Sequence, residues 1–153
     1  MSHKSTVKTK LENLDATALK AACEELGLSM VEASGKQSIR AYSNMNVGSA
    51  GCRTFVLSGF SGNYQAAIVE DENGVCNFEY DKWNGHVEKA IGNDGGKLNQ
   101  LYQAHRVEAE AKKKRFTLFQ YDDKGRLVRK KSGDRFTFQG DGTVKLKLRR
   151  MKS

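Results

Sequence analysis

Apolar positions along this chain switch between a two-residue and a three-to-four-residue period. The switches predict strands on either side of a helical centre. Alternation and β-branched residues predict strands over Ser5–Lys10, Ser29–Ala33, Ser38–Ser43, Cys52–Ser58, Tyr64–Glu70 and Val75–Tyr80. Four more follow at Phe116–Tyr121, Arg126–Lys130, Arg135–Gln139 and Thr143–Arg149. Between the first two strands, Leu19, Ala22, Cys23 and Leu26 form the buried stripe of a helix. Asp15 caps that helix, Leu14 can staple onto Leu19, and Gly27 supplies a left-handed C-terminal residue. Asp71-Glu72-Asn73-Gly74 is a hairpin turn, whereas 43–51 and 59–63 are rich in Gly, Ser and Asn and are expected to be loops.

The centre runs from Asp81 to Arg115. Trp83, Val87, Ala90 and Ile91 fall on one helical face, with Asp81 as cap and Gly92 as stop. Trp83 is therefore expected to anchor the core. After the Asn93-Asp94-Gly95-Gly96 joint, Leu98, Leu101, Tyr102 and His105 make one stripe. Ala104, Val107 and Ala111 make another, out of phase with it, so a kink or break is expected near Gln103 to Arg106. The expected fold is a single α+β domain over 1–153, an antiparallel sheet with two or three helices packed on one face. A basic C-terminal β-region is expected at about 116–150.

Charge sharpens the picture because it is uneven. Residues 112–153 hold 15 Lys/Arg against 4 Asp/Glu, whereas residues 1–111 hold 11 against 14, and the whole chain carries +8. A block this basic on a near-neutral body points to a polyanion; a solubilising face is the competing reading. The residues expected to contact it are Lys112, Lys113, Lys114, Arg115, Arg126, Arg129, Lys130, Lys131, Lys145, Lys147, Arg149 and Arg150. The four at 112–115 also suit the negative end of a helix dipole. Phe116, Phe119, Tyr121, Phe136 and Phe138 lie among the cations, as aromatics do where bases stack.

Other chemistry has less behind it. The chain has 3 Cys, widely spaced and with no Cys-x-x-Cys, which argues against a disulfide framework or zinc and for a reducing cytosol. No apolar run is long enough for a membrane span, and the N-terminus has no signal-peptide core. No phosphate-loop pattern and no nucleophile elbow occurs. His3, His86 and His105 lack the spacing of metal ligands. No cofactor and no metal is expected.

The motifs also resemble a family. Met-Ser-His-x-Ser-Thr-Val-x-Thr opens the chain, and a Leu-Asp-x-x-x-Leu-x-x-Ala helix ending in Leu-Gly follows. Then come Trp83-Asn84-Gly85-His86-Val87-Glu88, Tyr102, Glu110-Ala111-Lys112-Lys113, and Asp141-Gly142-Thr143-Val144-Lys145. In this order they resemble the domain of unknown function 1257 family, which includes the hypothetical chloroplast reading frame 35 proteins, and the chain looks like a bacterial or phage member. The resemblance implies a small intracellular α+β domain and carries no established activity. It leaves His3, Trp83 and His86 as motif positions of unknown role. One departure is an added hairpin, roughly Tyr121 to Asp134, that carries Arg126, Arg129, Lys130 and Lys131.

Three function classes follow. The first is a non-enzymatic cytoplasmic binder of nucleic acid or of a phosphate-bearing nucleotide, through the basic C-terminal surface. The second is a protein–protein adaptor or inhibitor docking an acidic partner surface. The third, an enzyme using the His86 region, is the least supported, so the chain is read as a non-enzyme.

Overall fold

The computed structural model describes residues 4–151. It is α+β with antiparallel pairing throughout, as the pattern predicts, but the strands divide among three sheets rather than one. Contacts separate the chain into two compact units, residues 1–98 and 99–153.

The first unit holds a five-stranded sheet in the order β1-β7-β6-β5-β2. Its strands are β1 (Lys4–Glu12), β2 (Ser29–Ser34), β5 (Arg53–Ser58), β6 (Ala66–Glu70) and β7 (Val75–Asp81). The period-2 geometry of a strand puts Phe55, Ile68 and Phe78 in one cross-strand row on one face. Helix α1 (Ala16–Glu25) starts on that face, where the Glu70 carboxylate accepts from the Leu14 amide and the Asp15 side chain caps Thr17 and Ala18. The opposite face is not left to water. The short hairpin β3 (Gln37–Ile39) and β4 (Met45–Val47) lays Ile39, Met45 and Val47 onto Ala67 and Val69. Hence β6 is buried at every position, the signature of a strand covered on both faces. This corrects one expectation: 43–51 contains a strand.

The helical centre differs more. Asp81 is fully buried at the end of β7 and accepts from the Trp83 and Tyr42 amides. The next turn is not α-helical: Trp83–Gly85 is a 3-10 turn with Asn84 at φ 55°, and α2 (Glu88–Ile91) is one turn long. The left-handed Asn84 takes Trp83 off the Val87/Ile91 face. Trp83 is 38% exposed, edge-on to Tyr42 at 5.9 Å, so it is not the expected core anchor. Gly92 (φ 83°) does end α2. Gly95, at φ 75°, sits against the Phe78 ring, where a Cβ would clash. Helix α3 (Gly96–Lys113) then runs as 18 residues without the expected break.

The second unit pairs β8 (Phe116–Tyr121) with β9 (Leu127–Arg129) on one side and β10 (Leu146–Arg150) on the other. The Asp122–Gly125 turn repeats the geometry of Asp71–Gly74. In each, the first aspartate accepts from the amides two and four residues on. The expected strand at Arg135–Gln139 is reduced to one bridge, Phe138 to Val144. Its backbone bonds elsewhere: the Gln120 side chain holds the Arg135 carbonyl and the Thr137 amide. None of the helices among the described residues is long and apolar enough to cross a membrane.

Candidate nucleic-acid interface

The register of the three-stranded sheet decides where its cations point. Lys147 pairs with Phe119, and Phe119 pairs with Arg129. Arg149 pairs with Thr117, one row along. On the other side, Tyr121 pairs with Leu127 and bonds to the Lys145 carbonyl. Because side chains alternate between faces, Lys145, Lys147, Arg149 and Arg129 share one face with Thr117, Phe119 and Tyr121. That face is half-buried along its centre strand and exposed at Arg129, Lys147 and Arg149. The Arg149 guanidinium lies 4.9 Å from the Phe119 ring centre. No carboxylate pairs with Arg129, Lys147 or Arg149 among the described residues.

The opposite face carries the buried set, Leu118 and Gln120 with Lys130. Lys130 was expected to meet the polyanion, and the structure excludes it. Its side chain is 1% exposed, its ammonium lies 2.7 Å from Glu108 Oε2, and it sits 4.4 Å over the Phe136 ring. An ammonium kept from water needs such a partner, since an unpaired buried charge is expensive. Phe136 is likewise core, edge-on to His105 at 5.0 Å. His105 lies 3.9 Å from the second Glu108 oxygen.

The remaining cations scatter. Arg126 turns back onto Asp122 at 3.2 Å. Hydrogen bonds, the Arg126 amide first, hold the Asp122 carboxyl below its ordinary range. Lys113 and Lys114 lie 3.9 Å from Glu110 in the last turn of α3. Arg115 occupies the left-handed residue (φ 57°) that ends the helix, and Arg150 lies across β10 from Arg149. At the turn end of the sheet, Asp141 is held below the usual carboxylate range, first by the Thr143 hydroxyl and amide and also by the charge of Lys145. The net positive character is therefore strongest at Arg149, Lys147 and Arg129 and weaker toward Lys145.

Beside this face lies a cleft of about 310 Å³, with Lys112, Arg129 and Lys131 on its lining. Sequence reasoning named these three cations but not the cleft, nor Met151 and Ser132 within it. Arg129 pairs with Phe119 because the Asp122–Gly125 turn sets the register of β8 on β9.

In the first unit, His86 is a packed residue. Its Nδ1 is 2.7 Å from the Ser61 hydroxyl, Gly62 lies against its ring, and the Tyr64 ring packs on it at a tilt, centre to centre 4.6 Å. His3 lies outside the described residues. No group of three His, Cys, Asp or Glu side chains among the described residues is placed to hold a metal ion. Burial pushes the Cys23 and Cys76 thiols up to about 12, which makes them poor nucleophiles. No family model, no curated protein and no solved structure matches the chain, so the family resemblance rests on the quoted motifs alone.

Proposed function

We propose that the protein is a non-enzymatic binder of nucleic acid that uses one face of its C-terminal three-stranded sheet. The observation that carries this reading is the register that sets Arg129, Lys147 and Arg149 around Phe119 on one face. Cations there meet phosphates, and a flat ring offers a base a stacking surface of the kind that single-strand binders use. Nothing in the arrangement resembles a helix placed to read base edges, so binding is expected to be tolerant of sequence. Membership of the domain of unknown function 1257 family and a location in the reducing cytoplasm belong to the same proposal. They are supported by the motif order and by three free cysteines.

The test is fluorescence anisotropy of a labelled single-stranded oligonucleotide, with unlabelled nucleic acid as competitor. Wild type is expected to bind and to be competed off. Arg129→Gln/Lys147→Gln/Arg149→Gln should lose most of the affinity while its melting temperature holds, because all three side chains are exposed. Full affinity in the triple variant would contradict the proposal. Binding only to an acidic protein surface, with no competition by nucleic acid, would favour the adaptor reading instead.

A further inference from the structure

The cleft beside the cationic face carries an inference of its own, one that deepens the proposed function. Strand β9 covers β8 only over Phe119–Tyr121, and the last backbone bond on that side runs from Lys130 to Leu118. Past that bond the chain leaves the sheet through Lys131 and Ser132, and the cleft opens there. Its lining has two characters. Phe116 and Met151 give it apolar surface above the buried Ala111 and Leu118, and Lys112, Arg129 and Lys131 bring three cationic groups.

The acid–base balance of the cleft favours an anion. Its one carboxylate, Glu108, is held by the Lys130 ammonium at 2.7 Å, so that pair cancels. No ion pair among the described residues occupies Lys112, Arg129 or Lys131. Three uncompensated cations exceed what the single charge of a phosphodiester calls for. They suit a phosphate monoester, which carries roughly −1.5 to −2 at neutral pH. The apolar lining suits the flat, weakly solvated body attached to it. The volume of about 310 Å³ sits at the small end of ligand sites, which run from roughly 300 to 1,000 Å³.

We propose that this cleft takes one phosphorylated nucleotide unit, with the phosphate monoester among Lys112, Arg129 and Lys131 and the base against Phe116 and Met151. The unit comes either as a free nucleoside monophosphate or as the phosphate-bearing end of a strand lying on the adjacent face. The second source rests on the proposed function; the first does not. Arg129 belongs to both surfaces, facing Phe119 in the sheet and lining the cleft.

The experiment uses the full chain with three probes: adenosine 5′-monophosphate, inorganic phosphate, and short single strands ending in hydroxyl or in phosphate at either end. Amide chemical shifts report the site, and anisotropy reports affinity. Adenosine monophosphate should shift the amides of Ala111, Leu118, Lys131 and Ser132, and should bind more tightly than phosphate alone. A terminal phosphate should improve strand affinity by about tenfold, as strong charge-assisted contacts do. Lys112→Gln/Lys131→Gln should abolish both effects and leave hydroxyl-ended strands bound as in wild type.

Monophosphate binding without a strand-end preference would support the cleft and assign it a free nucleotide. Monophosphate binding in a protein that binds no strand would support the cleft and overturn the proposed function. Strand binding with no phosphate preference and no shift at the cleft would overturn this inference and leave the proposed function standing. Phosphate binding as tightly as the nucleotide would overturn it too, because the base would then contribute nothing.

Discussion

Lys130 shows how far a residue's surroundings can invert its expected role. By composition it is one more cation in a basic run; in the structure it is an almost fully buried ammonium on Glu108 and Phe136. Glu108→Ala would strand that ammonium. Unfolding by denaturant should show a loss of up to about 3 kcal/mol, the low end for a broken buried pair because Glu108 keeps a quarter of its side chain in water. Lys130→Met combined with Glu108→Leu should recover much of the loss, since two apolar groups need no partner. Equal losses in the single and double variants would contradict the pairing.

The cysteines differ as sharply in their surroundings. Cys23 and Cys76 are fully buried and Cys52 is not, so native alkylation near pH 8 should modify Cys52 alone, and denaturant should release the other two. Burial raises both buried thiols from an ordinary 9.0 to about 12. Their contribution to stability is therefore complete below pH 9 and is lost as pH rises through about 12. A urea midpoint that stays constant across that alkaline window would contradict it.

Among the elements, those with strong local signals were legible in the residues. The Asp15 cap, the Gly27 stop, the Asp71–Gly74 hairpin and β8 all lie where pattern and turn chemistry put them. Misses occurred where long-range contacts override local spacing. Met45-Asn46-Val47 is too short and too embedded in polar residues to read as a strand, yet it pairs with Gln37–Ile39 over an apolar cluster. The two stripes of α3 run on without a break, because a continuous helix can bury different faces along its length. Arg135–Gln139 alternates like a strand, but the Gln120 amide takes its backbone groups.

Trp83 belongs with these misses: its helical spacing assumed a helix that the left-handed Asn84 prevents. Trp83→Ala should then cost about 1–2 kcal/mol, against roughly 3–5 for a buried aromatic. Its fluorescence, from the one Trp in the chain, should be readily quenched by acrylamide. A larger loss, or a shielded indole, would restore the core reading.

For the whole molecule, the charge asymmetry was fully visible in the residues, and so was the alternation that puts Lys145, Lys147 and Arg149 on one strand face; the sorting of the other cations was not. Of the twelve cations expected to form the interface, the register gathers Arg129, Lys145, Lys147 and Arg149 on one face. It also leaves Lys112 and Lys131 at the neighbouring cleft, buries Lys130, and sends Arg150 to the other side of β10. Which cations of different strands share a face depends on strand pairing, which alternation within one strand does not encode. If this register builds a phosphate-binding face, the affinity must carry a matching salt dependence. For a single-stranded oligonucleotide, each neutralised phosphate should contribute a slope of roughly −0.7 in log affinity against log salt. Arg129→Gln/Lys147→Gln/Arg149→Gln should therefore flatten the wild-type slope by about 2, and Arg126→Gln/Arg150→Gln should leave it nearly unchanged. An equal flattening from both sets would reduce the face to diffuse basic charge and contradict the account.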